Sequence, residues 1–218
     1  MMKEITYKSK EIKERIFSSI MNEYLKSGFY LKKSRDEFVL TKDGYSNIIH
    51  FRFTAWSLFH SLDIALYISV HSVEKMLKSI TGESTNITMG NDISYIYNSP
   101  NGREIIHRVM AIDIRQNEDV DAAAETAIIY LNKIAIPYFN LYNNLYEINN
   151  IFNRPPFDYI PANLGGSLDD RCMRGLIIAK MVNSPDLEFL VNTYNNLIKR
   201  TPPGSISQYV HVRDYLLG

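Results

Sequence analysis

Residues 28–56 read GFYLKKSRDEFVLTKDGYSNIIHFRFTAW, and this stretch decides the fold class. After the glycine, FYLKK and EFVLT are short strand-like runs with SRD between them as a tight turn. KDGYS then supplies an Asp-Gly pair, one of the strongest short hairpin signals. From Ile48 to Trp56 the residues alternate, with Ile49, Phe51, Phe53 and Ala55 on one side and His50, Arg52, Thr54 and Trp56 on the other. DIALYISVHS (63–72) alternates too: Ile64, Leu66, Ile68 and Val70 oppose Ala65, Tyr67, Ser69 and His71. Period-two patterning in successive hairpin-linked runs predicts an antiparallel sheet with one packed face and one wetter face.

Working outward, Ile12, Ile16, Phe17, Ile20, Met21, Tyr24 and Leu25 recur at helical spacing ahead of the sheet, and Gly28 is placed to end that helix. VEKMLKSITG predicts a short helix closing at Gly82. The following segment is rich in Ser, Thr, Asn and Gly and reads as a long loop around a weak strand, Ser94 to Tyr97. A longer strand is expected over 104–115, with Ile106, Met110, Ile112 and Ile114 against Ile105, His107, Val109, Ala111, Asp113 and Arg115. Asn117 caps a helix with Glu118, Asp119 and Asp121 in its first turn, where the macrodipole favours acids, and Pro137 breaks or kinks its continuation. Residues 153–167 read as a loop, Ser167 and Ser184-Pro185 as starts of two helices, and 206–217 as a last one. The expectation is an α+β fold with an N-terminal helix, an antiparallel sheet of about five strands and a C-terminal helical layer. Residues 1–152 form the α+β domain, and 153–218 the helical layer as part of the same domain.

The totals narrow the function classes. The 24 basic residues equal the 24 acidic ones, without the basic excess or stripe of a phosphate-binding surface, so nucleic acid is not the expected partner. Cys172 is the single cysteine, which excludes an internal disulfide and a cysteine-rich zinc site. MMKEITYKSKEIKERIF carries charges where a leader needs an apolar core, and no apolar run approaches the roughly 20 residues of a membrane helix. A cytoplasmic protein without a membrane partner is expected. Glycine-rich phosphate cradles, HExxH and GxSxG are all missing, and no cofactor is implied.

The candidate chemistry is the polar sheet face. His50, Arg52, Tyr67, His71, His107, Asp113 and Arg115 would share it if the strands pair as patterned. Histidine beside carboxylate can move protons or hold a metal, and arginine can grip a carboxylate or phosphate. The plain alternative is a solvated face, since a one-residue slip inverts a strand's contribution. Trp56 and Phe59 are the candidate aromatic contact, against plain packing at the sheet edge. In DDRCMRG (169–175), Asp170 and Arg174 form an i,i+4 pair of the surface-stabilising kind, and Cys172 reads as an inert helix residue.

The order of helix, GFYLKKSRDEF, alternating strands, DVDAAAETAIIYLNKIAIPYFNLYNNLYEI and helical hairpin resembles small bacterial proteins catalogued as domains of unknown function. The resemblance covers about the first 150 residues, rests on packing motifs and implies no catalytic residue. By analogy of type it implies an immunity-like or other partner-binding module, with a protein partner or a second copy as the ligand. The alternative expectation is a hydrolase-type enzyme using the His/Arg/Asp face.

Overall fold

The computed structural model describes residues 8–97, 111–161 and 164–218. The fold is α+β. By contacts the chain divides into two compact units, 1–42 with 47–67 and 91–139, and 43–46 with 68–90 and 140–218.

The first unit opens with α1 (Ser9–Lys26), which buries Ile12, Ile16, Phe17, Ile20 and Tyr24 at helical spacing. Leu25, expected on the same stripe, is half exposed. Gly28 takes φ +86°, its amide bonds Leu25 O at 2.9 Å, and the Phe29 amide bonds Tyr24 O at 3.0 Å. This is a Schellman stop, accompanied by the Tyr24–Phe29 ring contact at 6.3 Å.

The strands are β1 (Tyr30–Lys32), β2 (Glu37–Lys42), β3 (Tyr45–Ala55) and β4 (His60–Val70), and the chain then forms α2 (His71–Thr81) and β5 (Met89–Asp92). Asp43 and Gly44 both have positive φ, the conformation that lets a two-residue turn match strand twist. The sheet runs in the order β1-β2-β3-β4-β5, with a last strand pairing on β4. On β3 the alternation holds, Ile49 and Phe51 being buried and His50 and Arg52 half-buried. Phe17 meets Phe38, Phe51 and Phe53 edge-on at 5.8, 5.4 and 5.8 Å, so α1 covers the apolar side of these strands. On β4 the expected wetter side is partly closed, since Ser61, Ala65 and Ser69 are buried along with Leu62, Ile64 and Leu66.

Two expectations are corrected here. Ser94 to Tyr97 is no strand but part of a short helix, α3 (Ile93–Tyr97), burying Ile93 and Ile96. The strand of this region is β5, just ahead of it. Of the long strand expected over 104–115, the described part is β6 (Ile112–Ile114), with 104–110 outside the described residues. Then α4 (Asp119–Tyr130) begins two residues after Asn117, and Asp119 folds back to accept from the Arg115 and Gln116 amides at 2.8 and 3.1 Å. A π turn at Leu131–Ala135 leads into α5 (Ile136–Tyr142). Pro137 lacks an N–H and crowds the preceding turn, and the widened turn is how the helix takes up that defect.

The second unit is largely helical: α6 (Leu145–Phe152), α7 (Leu168–Met181), α8 (Leu187–Leu197) and α9 (Pro203–Leu217), with α2. Ser167 and Asp170 close a capping box at the start of α7. Nine consecutive residues of α7, Arg171 to Ala179, are buried, because α2, α6, α8 and α9 all pack on it. A helix closed on all sides leaves no room at its centre. A Cβ on Gly175 would lie 2.7 Å from Asn153 Oδ1 and 3.0 Å from the Tyr194 hydroxyl. Gly→Ala inside a helix normally stabilises by roughly 0.5–1 kcal/mol. Here Gly175→Ala is expected to destabilise by about 1–3 kcal/mol through overpacking, read as a lower urea midpoint. A higher midpoint would contradict this packing.

Candidate functional site

The polar face begins on β3. Arg52 donates to Asp92 at 2.6 Å. Burial alone would lower the Arg52 pKa, but the bond and charge of Asp92, with Asp63 and Tyr67 adding, raise it above its ordinary value. His50 stands against the Tyr67 ring at 6.4 Å. Partial burial raises the Tyr67 hydroxyl, which therefore stays protonated near neutral pH. Asp113 lies directly opposite Ser61 in the β4–β6 register and is bonded to Arg115 at 2.8 Å. The first unit thus holds His50, Arg52, Tyr67, Asp113 and Arg115, with each arginine charge already engaged by a carboxylate.

His71 does not belong to this face. The β4 strand ends at Val70, the His71 amide bonds Gly44 O at 2.9 Å, and the side chain begins α2 with Nε2 2.8 Å from Ser46 Oγ. The helical period of HSVEKMLKS takes over where the two-residue alternation had been extended. His107 lies outside the described residues. Two face residues were missed. Asp63 was legible from parity, sharing the side of Ala65 and Tyr67; Asp92 was not, because a short strand in a Ser/Thr/Asn-rich stretch carries no periodic signal. Among the described residues no group of three or more His, Cys, Asp or Glu is placed to hold a metal ion.

The aromatic contact sits at the hairpin end between β3 and β4. The Trp56 amide bonds Phe59 O at 2.9 Å, closing the turn. The two rings stack at 6.1 Å and 24°, and the Arg115 guanidinium lies 4.8 Å from the Phe59 centroid. Trp56 is 58% exposed and Leu58 84%. The plain alternative, a tryptophan packed at the sheet edge, does not describe a ring this open.

A recess of about 790 Å³ opens between α1 and the edge of β3, lined among others by Lys10, Lys13, Phe17, Lys33, Arg52 and Phe53. Lys13 pairs with Asp36 at 2.5 Å across it.

The pair read as surface stabilisation in DDRCMRG is buried instead, in the second unit. Arg174 is 3% exposed. It donates from Nε and Nη2 to the two oxygens of Glu74 at 2.9 Å each, from Nη2 to Thr85 Oγ1 at 3.0 Å, and from Nη1 to Asp170. Glu74 also accepts from Ser84 at 2.6 Å and Thr88 at 2.8 Å. Burial would raise the Glu74 pKa, but the bonds and charge of Arg174, with Ser84 and Thr88, hold it below its ordinary value. Arg171 carries no carboxylate; its three nitrogens donate to five backbone carbonyls, those of Phe152, Arg154, Pro156, Phe157 and Tyr159. Burial pushes the Cys172 thiol up to about 12, so it stays protonated and unreactive at neutral pH. The bonds of Arg171 hold the backbone of 152–159 to α7, and those of Arg174 hold α2 and the residues after it to α7.

No protein-family model, curated protein or solved structure matches the chain. Among the described residues no helix is long and apolar enough to cross a membrane.

Proposed function

We propose that this chain is a non-catalytic protein-binding module that docks its partner through the end of the β3–β4 hairpin. One observation carries the reading: Trp56 and Leu58 are both mostly exposed on a turn held in shape by the Trp56–Phe59 rung. An apolar pair on a rigid support loses little conformational freedom on binding, and tryptophan with a neighbouring arginine is the composition of binding hot spots. An immunity-like role in a bacterial cell, and the kinship with bacterial domains of unknown function, belong to the same proposal. The hydrolase alternative draws less support. Arg52 and Arg115 would have to release Asp92 and Asp113 before gripping a substrate anion, and His50 has an aromatic ring for its neighbour.

Affinity capture from cells that make the protein tests the reading. The unsubstituted chain is expected to retain one partner in stoichiometric amount, or a second copy of itself. The Trp56→Ala/Leu58→Asp variant should lose it, with stability within about 0.5 kcal/mol because both side chains are exposed. Trp56 is the only tryptophan, so its emission should move to shorter wavelength when the purified partner is added. A partner held equally by the variant would overturn the proposal.

A further inference from the structure

We infer that the partner of the hairpin end is a second copy of this chain, each copy seating Trp56 and Leu58 in the other's recess between α1 and β3. The inference rests on the reading of the hairpin end as a docking surface and adds its occupant. The recess restricts what it can hold. Phe17 and Phe53, in edge-on contact at 5.8 Å, line it together with Met21 and Leu31. Met21, Leu31 and Phe53 are only half-buried, so this apolar floor still meets water. The cations beside it are already neutralised, Lys10 by Glu14 at 3.9 Å, Lys13 by Asp36 at 2.5 Å and Arg52 by Asp92 at 2.6 Å. A charged occupant would compete with these pairs, whereas a neutral apolar one leaves them intact. An indole suits the setting further, because cations at the rim attract its face, as the Lys13 ammonium already stands 5.9 Å from the Phe17 centroid.

The chain carries that neutral, apolar and aromatic occupant itself. Leu58 is the most exposed large hydrophobic among the described residues, and Trp56 projects beside it. The hairpin end and the recess are contiguous: Phe53 lines the recess, and only the exposed Thr54 and Ala55 separate it from Trp56. A two-fold axis beside Thr54 and Ala55 brings the hairpin end of each copy to the recess of the other. The contact is then made twice and closes, leaving neither apolar surface open. The size also fits. The fourteen residues lining the recess and the five exposed residues 54–58 approach the roughly 20 residues a side of a standard-size interface, so a dimer of micromolar order is expected. Every residue of the contact lies in the first unit.

Sedimentation equilibrium of the full chain from about 1 to 500 µM tests this. The unsubstituted chain should pass from monomer to dimer and go no further. Trp56→Ala/Leu58→Ser, which removes what is inserted, and Met21→Glu, which charges the recess, should each weaken dimerisation at least about ten-fold. Mixing the two variants is decisive. Each variant alone has no intact seat, whereas the mixed pair regains one, Trp56 and Leu58 of the Met21→Glu chain entering the unaltered recess of the other. The mixture should therefore associate more tightly than either variant, a recovery that a misfolded Met21→Glu chain could not give. A monomer throughout the range, a Met21→Glu chain that dimerises like the unsubstituted one, or a mixture no tighter than its components would each overturn the inference. A monomeric chain whose hairpin variant still loses a captured protein would overturn this inference alone and leave the hairpin end as a docking surface.

Discussion

Replacing Arg171 with methionine should cost about 3–5 kcal/mol of stability. The side chain is 1% exposed. Its Nε donates to Phe152 O at 2.8 Å, the carbonyl that ends α6, and Nη2 donates to Arg154 O at 2.7 Å. Nη1 gathers Pro156 O at 2.9 Å, Phe157 O at 3.2 Å and Tyr159 O, and the Phe157 ring stands 5.7 Å from the guanidinium carbon. Burial lowers the Arg171 pKa from its ordinary value, yet an arginine keeps its charge throughout the neutral range. Methionine fills the stem's volume but donates nothing, so buried carbonyls are orphaned at about 1–3 kcal/mol each, less where water can reach them. The urea midpoint should fall, and proteolysis should concentrate in 153–160, the segment these bonds hold. Lysine, a single ammonium without the planar fork, should recover only part of the loss. A methionine variant with an unchanged midpoint would show that the carbonyl cage contributes nothing net.

The second large effect is at Glu74–Arg174, where the sign of the pH dependence is diagnostic. In the unsubstituted protein the folded Glu74 pKa lies below its ordinary 4.5. The pair therefore contributes stability that is fully present above that value and lost as pH falls through the folded pKa. Arg174→Met leaves a carboxylate 3% exposed without its cation, which should cost about 3–5 kcal/mol at pH 7. Burial, the largest single influence, is then opposed only by the Ser84 and Thr88 hydrogen bonds, and the Glu74 pKa rises above its unfolded value. The variant should regain stability relative to the unsubstituted chain as the pH is lowered toward 4.5, and Glu74→Gln/Arg174→Met should lose less than Arg174→Met alone. Urea midpoints across that range measure all three. Parallel pH profiles would mean that Glu74 is hydrated and not held by Arg174.

These two arginines also show where sequence reading stops. The sheet was legible because β3 carries its evidence locally: Asp43-Gly44 fixes the hairpin, and the buried set Ile49 and Phe51 alternates with His50 and Arg52. The same alternation put His50, Arg52 and Tyr67 on one face, but carrying it one residue too far turned His71 from a helix start into a strand residue. Arg174 looked superficial because Asp170 sits one helical turn away, whereas its main partner is 100 residues distant in sequence. Nothing in DDRCMRG announces that α7 is packed on all sides, since besides its chain neighbours α6, α8 and α9 the distant α2 closes over it. Trp56 was visible as a candidate, but its exposure depends on which neighbours the hairpin end lacks, and composition is silent on that.

The central claim is that a partner seats on the end of the β3–β4 hairpin, and hydrogen–deuterium exchange on the captured complex tests it most directly. Binding should slow exchange over 51–60, spanning the last residues of β3, the Trp56–Phe59 turn and the start of β4, and leave α8 and α9 unchanged. Unchanged exchange over 51–60 with protection appearing on α8 or α9 would place the partner elsewhere and contradict the claim.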